Sequence, residues 1–159
     1  MQYNVWLAQH RTPAEVQRLR DIATVPPNAP VPRLKGQEVG AAPRERYDAE
    51  MAFTSHVEET FYLDMAGYLR DSLGVKVPLT GTADHGHTSS SYPMLASLSK
   101  LDIMDGHVYW EHPGSPPPVN TPMVNDPFHS TVVQLSRTAV AGKPYTVSEF
   151  NHPFPNDWA

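Results

Sequence analysis

The chain of 159 residues contains no cysteine. This excludes disulfides, thiol catalysis and thiolate metal sites together, and leaves the cellular compartment open, because secreted proteins can also lack cysteine. Positive charge is scarce: 12 Lys and Arg stand against 17 Asp and Glu, for a formal net charge of −5, and no basic run occurs. Such a chain lacks the electrostatic footprint of a nucleic-acid binder and the basic surface that anionic lipid attracts, so neither is expected as a partner. No apolar stretch approaches the roughly 20 residues of a membrane span. The first residues carry no signal-peptide pattern, and secretion is an expectation only if the chain is part of a longer protein. The length suits a single domain over residues 1–159, but falls short of the roughly 200 residues of a complete eight-stranded β/α barrel.

Proline is abundant instead. Seventeen residues of this type are about twice the usual share, and they cluster at Pro26, Pro27, Pro30 and Pro32, at Pro113, Pro116, Pro117, Pro118 and Pro122, and at Pro153 and Pro155. Segments with helical or strand periodicity separate the clusters, which therefore read as long ordered loops on a scaffold.

Thr12, Pro13 and Glu15 form a helix-start signal, with Thr12 as cap, Pro13 at the first helical position and Glu15 reaching back, and a helix over about 13–23 follows. Phe53, Val57, Phe61, Met65 and Leu69 recur every four residues, which predicts a helix over about 44–73 that stops at Gly74. A β-prone run, Val75 to Thr82, then opens into a polar loop holding Asp84, His85 and His87. A short helix from Tyr92 to Leu98, a second strand from Leu101 to Trp110, a helix marked by Phe128, Val132, Leu135 and Ala139, and a third strand over about 144–149 complete the order. Alternation of this kind indicates parallel strands with a site at their carboxyl ends. The third strand ends by delivering a carboxylate, Glu149, into a polar and aromatic cluster.

Three segments, YLRDSLGVKVPLTGT (68–82), LDIMDGHVYWEHP (101–113) and GKPYTVSEFNHPFPND (142–157), resemble the fifth, sixth and seventh strands of the large clan of retaining glycoside hydrolases built on the eightfold β/α barrel. The opening YNVWLAQHRTPAEVQRLRDIA is similar to the helix after that clan's fourth strand. The resemblance implies a partial, half β/α barrel with parallel strands, flanking helices and long Pro-rich loops. It implies that Glu149 is the catalytic nucleophile, supported by Tyr109, which hydrogen-bonds it and keeps it ionised, and by His107. It also implies an oligo- or polysaccharide ligand, with Trp110 and Trp158 stacking on sugar rings and Asp84, His85, Asn151 and His152 among the contacts. No cofactor is implied. The clan's acid/base is a glutamate preceded by asparagine on the fourth strand, and no Asn-Glu pair occurs here. Retention needs two carboxyl groups about 5–5.5 Å apart, so the isolated chain is expected to be inactive without a complementing amino-side half.

Other readings stand beside this one. A carbohydrate-binding module derived from a truncated barrel would hold a glycan without cleaving it, and a homodimer of half-barrels would bring two copies of Glu149 to one mouth. His85 and His87, with Asp84 and either His107 or His112, are a formal metal set, but the surrounding Gly and Ser suit a hydrogen-bonding rim better, and no metal is expected. His56 and Glu59, three apart on the long helix, fit a solvated face. Trp6 and Leu7 fit a core. A Ser-His-Asp hydrolase using Ser148 is set aside because the G-x-S-x-G elbow is absent.

Overall fold

The computed structural model describes residues 2–82, 91–111 and 121–151. Within them lie six α-helices and two strands: α1 (Gln2–His10), α2 (Pro13–Ile22), α3 (Gly36–Val39), α4 (Arg44–Gly67), α5 (Ser91–Leu98), β1 (Met104–Tyr109), α6 (Thr131–Ser136) and β2 (Tyr145–Asn151). The chain divides into two compact units, residues 1–57 and 58–159.

The amino-terminal unit is helical. Tyr3, Trp6 and Leu7 lie on one face of α1 because three- and four-residue steps bring side chains into line, and all three are buried with Leu19 of α2, Val31, and Ala49 and Phe53 of α4. The capping box is formed as the sequence suggests: Glu15 N–H donates to Thr12 Oγ1 at 3.3 Å and Thr12 N–H donates to Glu15 Oε2 at 2.7 Å. The first proline cluster is held by polar clamps on its backbone. Asn4 Nδ2 donates to the Val31 carbonyl at 2.9 Å while Asn4 Oδ1 accepts the Val31 N–H at 2.7 Å, and Arg46 Nη2 donates to the Pro32 carbonyl at 2.6 Å. Proline-rich backbone has few partners of its own, so side chains from α1 and α4 supply them. The carboxylate of Glu50 is buried and accepts from Arg33 and from the Leu34 N–H.

In the second unit α4 runs on to Gly67, widens into a π-helical turn over Tyr68–Ser72, and stops at Gly74 with φ +67, a conformation that suits a residue without Cβ. Of the four-residue row, Phe53 is buried whereas Val57, Phe61 and Met65 stay 40–58% exposed, so the row marks the helix correctly but only its first member joins the core. The strand expected over 75–82 does not form; the segment is irregular. Pro78 has no N–H for a ladder, and the polar groups of Leu79 are already engaged: its N–H donates to Asp102 Oδ2 at 2.8 Å and its carbonyl accepts from both Asp102 and Ile103. Arg70 Nη2 binds the same Asp102 oxygen at 2.5 Å. Burial opposes ionisation of Asp102 less than the Leu79 N–H, the first influence, and Arg70 favour it, so its carboxyl lies below the ordinary range.

The remaining two strands pair in parallel, with α6 in the connection between them. Leu95, Leu98 and Met104 form the buried core here, flanked by Tyr62, Met94, Val140 and Tyr145. α6 is shorter than predicted: Phe128 lies before it, Val132 within it is turned outward, the two being 79% and 73% exposed, and Thr138 Oγ1 closes the helix by donating to the Leu135 carbonyl at 3.0 Å. The architecture among the described residues is thus mixed α/β with a parallel two-stranded sheet; two strands are too few to make the half barrel an observed fold.

Candidate functional site

β1 has two unlike faces. Met104, Gly106 and Val108 are buried, whereas Asp105, His107 and Tyr109 project to the other side, as the period of two requires. In β2 the partner positions are Tyr145, Thr146 and Val147 opposite 104, 105 and 106, after which the register skips Ser148 and resumes with Glu149 opposite His107, Phe150 opposite Val108 and Asn151 opposite Tyr109. This extra residue is a β-bulge. Without it, strict alternation would put Ser148 and Glu149 on opposite faces; with it, both reach the polar face of β1.

The result is a connected polar network. Tyr109 Oη donates to Glu149 Oε2, and His107 Nδ1 lies 3.6 Å from the same carboxylate oxygen. On the other side of the imidazole, His107 Nε2 is 2.8 Å from Ser148 Oγ. Ser148 Oγ donates to Asp105 Oδ2, and Thr146 Oγ1 donates to Asp105 Oδ1 at 2.6 Å. Asp105 is buried at 6% exposure. Burial alone would raise its pKa, yet the hydroxyls of Ser148 and Thr146, with His107 nearby, more than compensate and hold the carboxyl below its ordinary value. Glu149, by contrast, has a side chain 54% exposed, so one carboxylate of this face is sealed among donors and the other meets solvent.

Of the residues expected at a site, Glu149, Tyr109 and His107 are brought together. Trp110 is not available as a sugar platform: it is buried at 9% exposure and its indole N–H donates to the Thr121 carbonyl at 2.6 Å, so its face packs inward. Asn151 takes the register position beside Tyr109. Asp84, His85, His152 and Trp158 lie outside the described residues, as do His87 and His112. Among the described residues no group of three or more His, Cys, Asp or Glu is arranged to hold a metal ion. His56 lies with His10 and Trp6, at ring-centroid distances of 5.4 and 6.1 Å.

Asp105 and Thr146 were not singled out by the sequence. The signal that carries them is the alternation Asp105-x-His107-x-Tyr109 set against Thr146-x-Ser148, which becomes meaningful only once the two strands are known to be neighbours. Ser148 does approach His107, but not as a serine nucleophile does. Its proton goes to Asp105 rather than to the ring, whereas a serine nucleophile donates to Nε2; Glu149 does lie on the Nδ1 side, where a triad places its acid, but at 3.6 Å it is beyond hydrogen-bond distance.

No family model matches the chain, and no curated protein or solved structure matches it either. Function is therefore argued from the chemistry of this strand pair.

Proposed function

We propose that the chain is a carbohydrate-active protein, the carboxyl-side half of a retaining β-glycoside hydrolase barrel, in which Glu149 is the nucleophile toward an O-glycosidic bond. The observation that carries this reading is the hydrogen bond from Tyr109 Oη to Glu149 Oε2 between adjacent parallel strands, near their carboxyl ends. A phenol donating to one carboxylate oxygen fixes the orientation of the group, while its exposure leaves it accessible to a substrate. The nucleophile would attack the anomeric carbon, form a glycosyl ester and expel the leaving oxygen. The other carboxylate of the same face is unsuited to protonating that oxygen. A general acid requires a raised pKa, whereas Asp105 is held low and is buried among its donors. In this proposal the acid comes from a complementing amino-side half, and the ligand is an oligo- or polysaccharide.

The test uses a panel of 2-deoxy-2-fluoro glycosides with dinitrophenolate leaving groups, which need little acid assistance and trap the glycosyl ester. The chain is mixed with amino-side fragments of retaining barrels that span the first four strands, and intact mass and peptide mapping locate the adduct. Labelling of Glu149, lost in Glu149→Gln, is the expected result. Hydrolysis restored equally well by Glu149→Gln would refute the assignment. Glycan binding by calorimetry, unaccompanied by labelling, would replace it with a non-catalytic binding module.

A further inference from the structure

The hydrogen bonds around Asp105 dictate more than its own ionisation. A hydroxyl has one proton to give. Ser148 gives its proton to Asp105 Oδ2, so toward His107 Nε2, 2.8 Å away, its oxygen can only accept. Nε2 must then carry a proton, because the opposite tautomer would set two lone pairs against each other. The direction of the chain is fixed at its far end: Asp105 is ionised, acceptor-only, and already takes a second hydroxyl from Thr146. The other ring nitrogen, Nδ1, faces Glu149 Oε2 at 3.6 Å.

We propose that Asp105 is a positioning residue that acts through Ser148 to hold His107 as the Nε2–H tautomer, with the acceptor nitrogen turned toward Glu149. The functional sense rests on the reading of Glu149 as nucleophile. In the opposite tautomer, the positive end of Nδ1–H would face Glu149 Oε2, too far at 3.6 Å for a hydrogen bond but near enough to draw charge from the carboxylate; the Asp105–Ser148 chain keeps that donor on the far side of the ring and leaves Tyr109 as the hydrogen-bond donor to Glu149 Oε2. The bulge at Ser148 is what permits the arrangement, since it alone puts the relay hydroxyl and the nucleophile on one face of the sheet.

The experiment is histidine side-chain NMR on 15N-labelled protein at about pH 9, well above the ordinary histidine range, with the His107 signals identified by their loss in His107→Gln. Wild type shows a protonated Nε2 and a proton-free Nδ1. A bare Nδ1–H ring, or a ring with both protons at that pH, overturns the proposal. The decisive variant is Asp105→Asn. The Met104 carbonyl, 3.5 Å from Thr146 Oγ1, is a poor alternative acceptor, so the Asn carbonyl stays with Thr146 and its amide N–H is directed at Ser148. Ser148 must then send its own proton to His107, and the tautomer inverts to Nδ1–H. Adding Ser148→Ala to Asp105→Asn removes the link, so the enforced Nδ1–H tautomer is lost. An Asp105→Asn protein that keeps the wild-type amide spectrum and does not invert refutes the inference, as does inversion that persists in the double variant. Should Asp105→Asn not fold, Ser148→Ala alone decides: solvent exchange of the His107 Nε2 proton speeds up at least tenfold, and an unchanged rate refutes the relay. None of these measurements needs a substrate, so their failure is distinct from failure of the glycosidase reading, which appears in the labelling of Glu149.

Discussion

Replacing Gly106 by alanine tests the packing that holds the site together. Gly106 sits in β1 between Asp105 and His107, next to the point where the register shifts. A Cβ built there collides with Tyr145 Oη and meets Leu135 Cδ2 at 2.9 Å and Tyr145 Cζ at 3.0 Å. The phenol cannot swing aside freely, because it is part-buried and its hydroxyl is 2.6 Å from Thr138 Oγ1, itself in a buried residue. Overpacking of a fixed neighbour costs about 1–3 kcal/mol, and breaking the Tyr145–Thr138 hydrogen bond adds about 0.5–1.5 kcal/mol. The expected loss is therefore about 2–4 kcal/mol. In urea denaturation followed by Trp fluorescence, with a slope of about 2 kcal/mol per molar, the midpoint should fall by about 1–2 M. Gly106→Ala with Tyr145→Phe removes the colliding oxygen, so the pair should be less damaging than the sum of the single changes by about 1 kcal/mol or more. Gly40→Ala is the control, since nothing lies within 4 Å of a Cβ at that position. A Gly106→Ala protein within 0.5 kcal/mol of wild type, or strict additivity with Tyr145→Phe, would show that the strand and Tyr145 are not packed as described.

Three further outcomes follow from named contacts. Leu7→Ala empties a fully buried position in the amino-terminal core and should destabilise that unit by about 2–5 kcal/mol, read by amide exchange of α1, α2 and the first half of α4. Thr12→Ala removes the capping-box hydroxyl and should cost about 0.5–2 kcal/mol, visible as faster amide exchange in the first turn of α2. The carboxyl of Asp105 is held low in the folded chain, so between its folded value and the unfolded value of about 3.9 the unfolded state binds more protons. Its contribution is complete above that unfolded value and is lost as pH falls through the folded one; comparing stability against pH for wild type and Asp105→Asn should show a shallower acid decline in the variant, and parallel curves would contradict the low value.

The local elements were largely legible in the sequence because they depend on short-range rules. The capping box at Thr12, the stop at Gly74, the core positions Trp6 and Leu7, and the strands ending near Tyr109 and Glu149 all follow from propensity, periodicity and turn chemistry. Errors arose where a distant partner decides the outcome. Val75 to Thr82 has strand composition, but Asp102 takes the Leu79 N–H, Arg70 takes the Val75 and Val77 carbonyls, and Pro78 interrupts a ladder. Phe128 and Val132 fit a helical repeat, yet nothing in the local pattern reveals that this face is turned to solvent. Trp110 reads as a binding aromatic until the Thr121 carbonyl is found on its indole nitrogen.

The same distinction governs the site. The amino-acid order alone determined that a glutamate closes a β-prone segment and that a histidine and a tyrosine stand two apart on another, since both are one-dimensional facts. Only the tertiary structure decided that these strands are parallel neighbours, and that one unpaired residue at Ser148 turns Glu149 toward His107 and Tyr109 while giving Asp105 its donors. Side-chain alternation has a period of two, so a single inserted residue exchanges the faces of everything after it, and whether that insertion exists depends on hydrogen bonds to a strand some forty residues away.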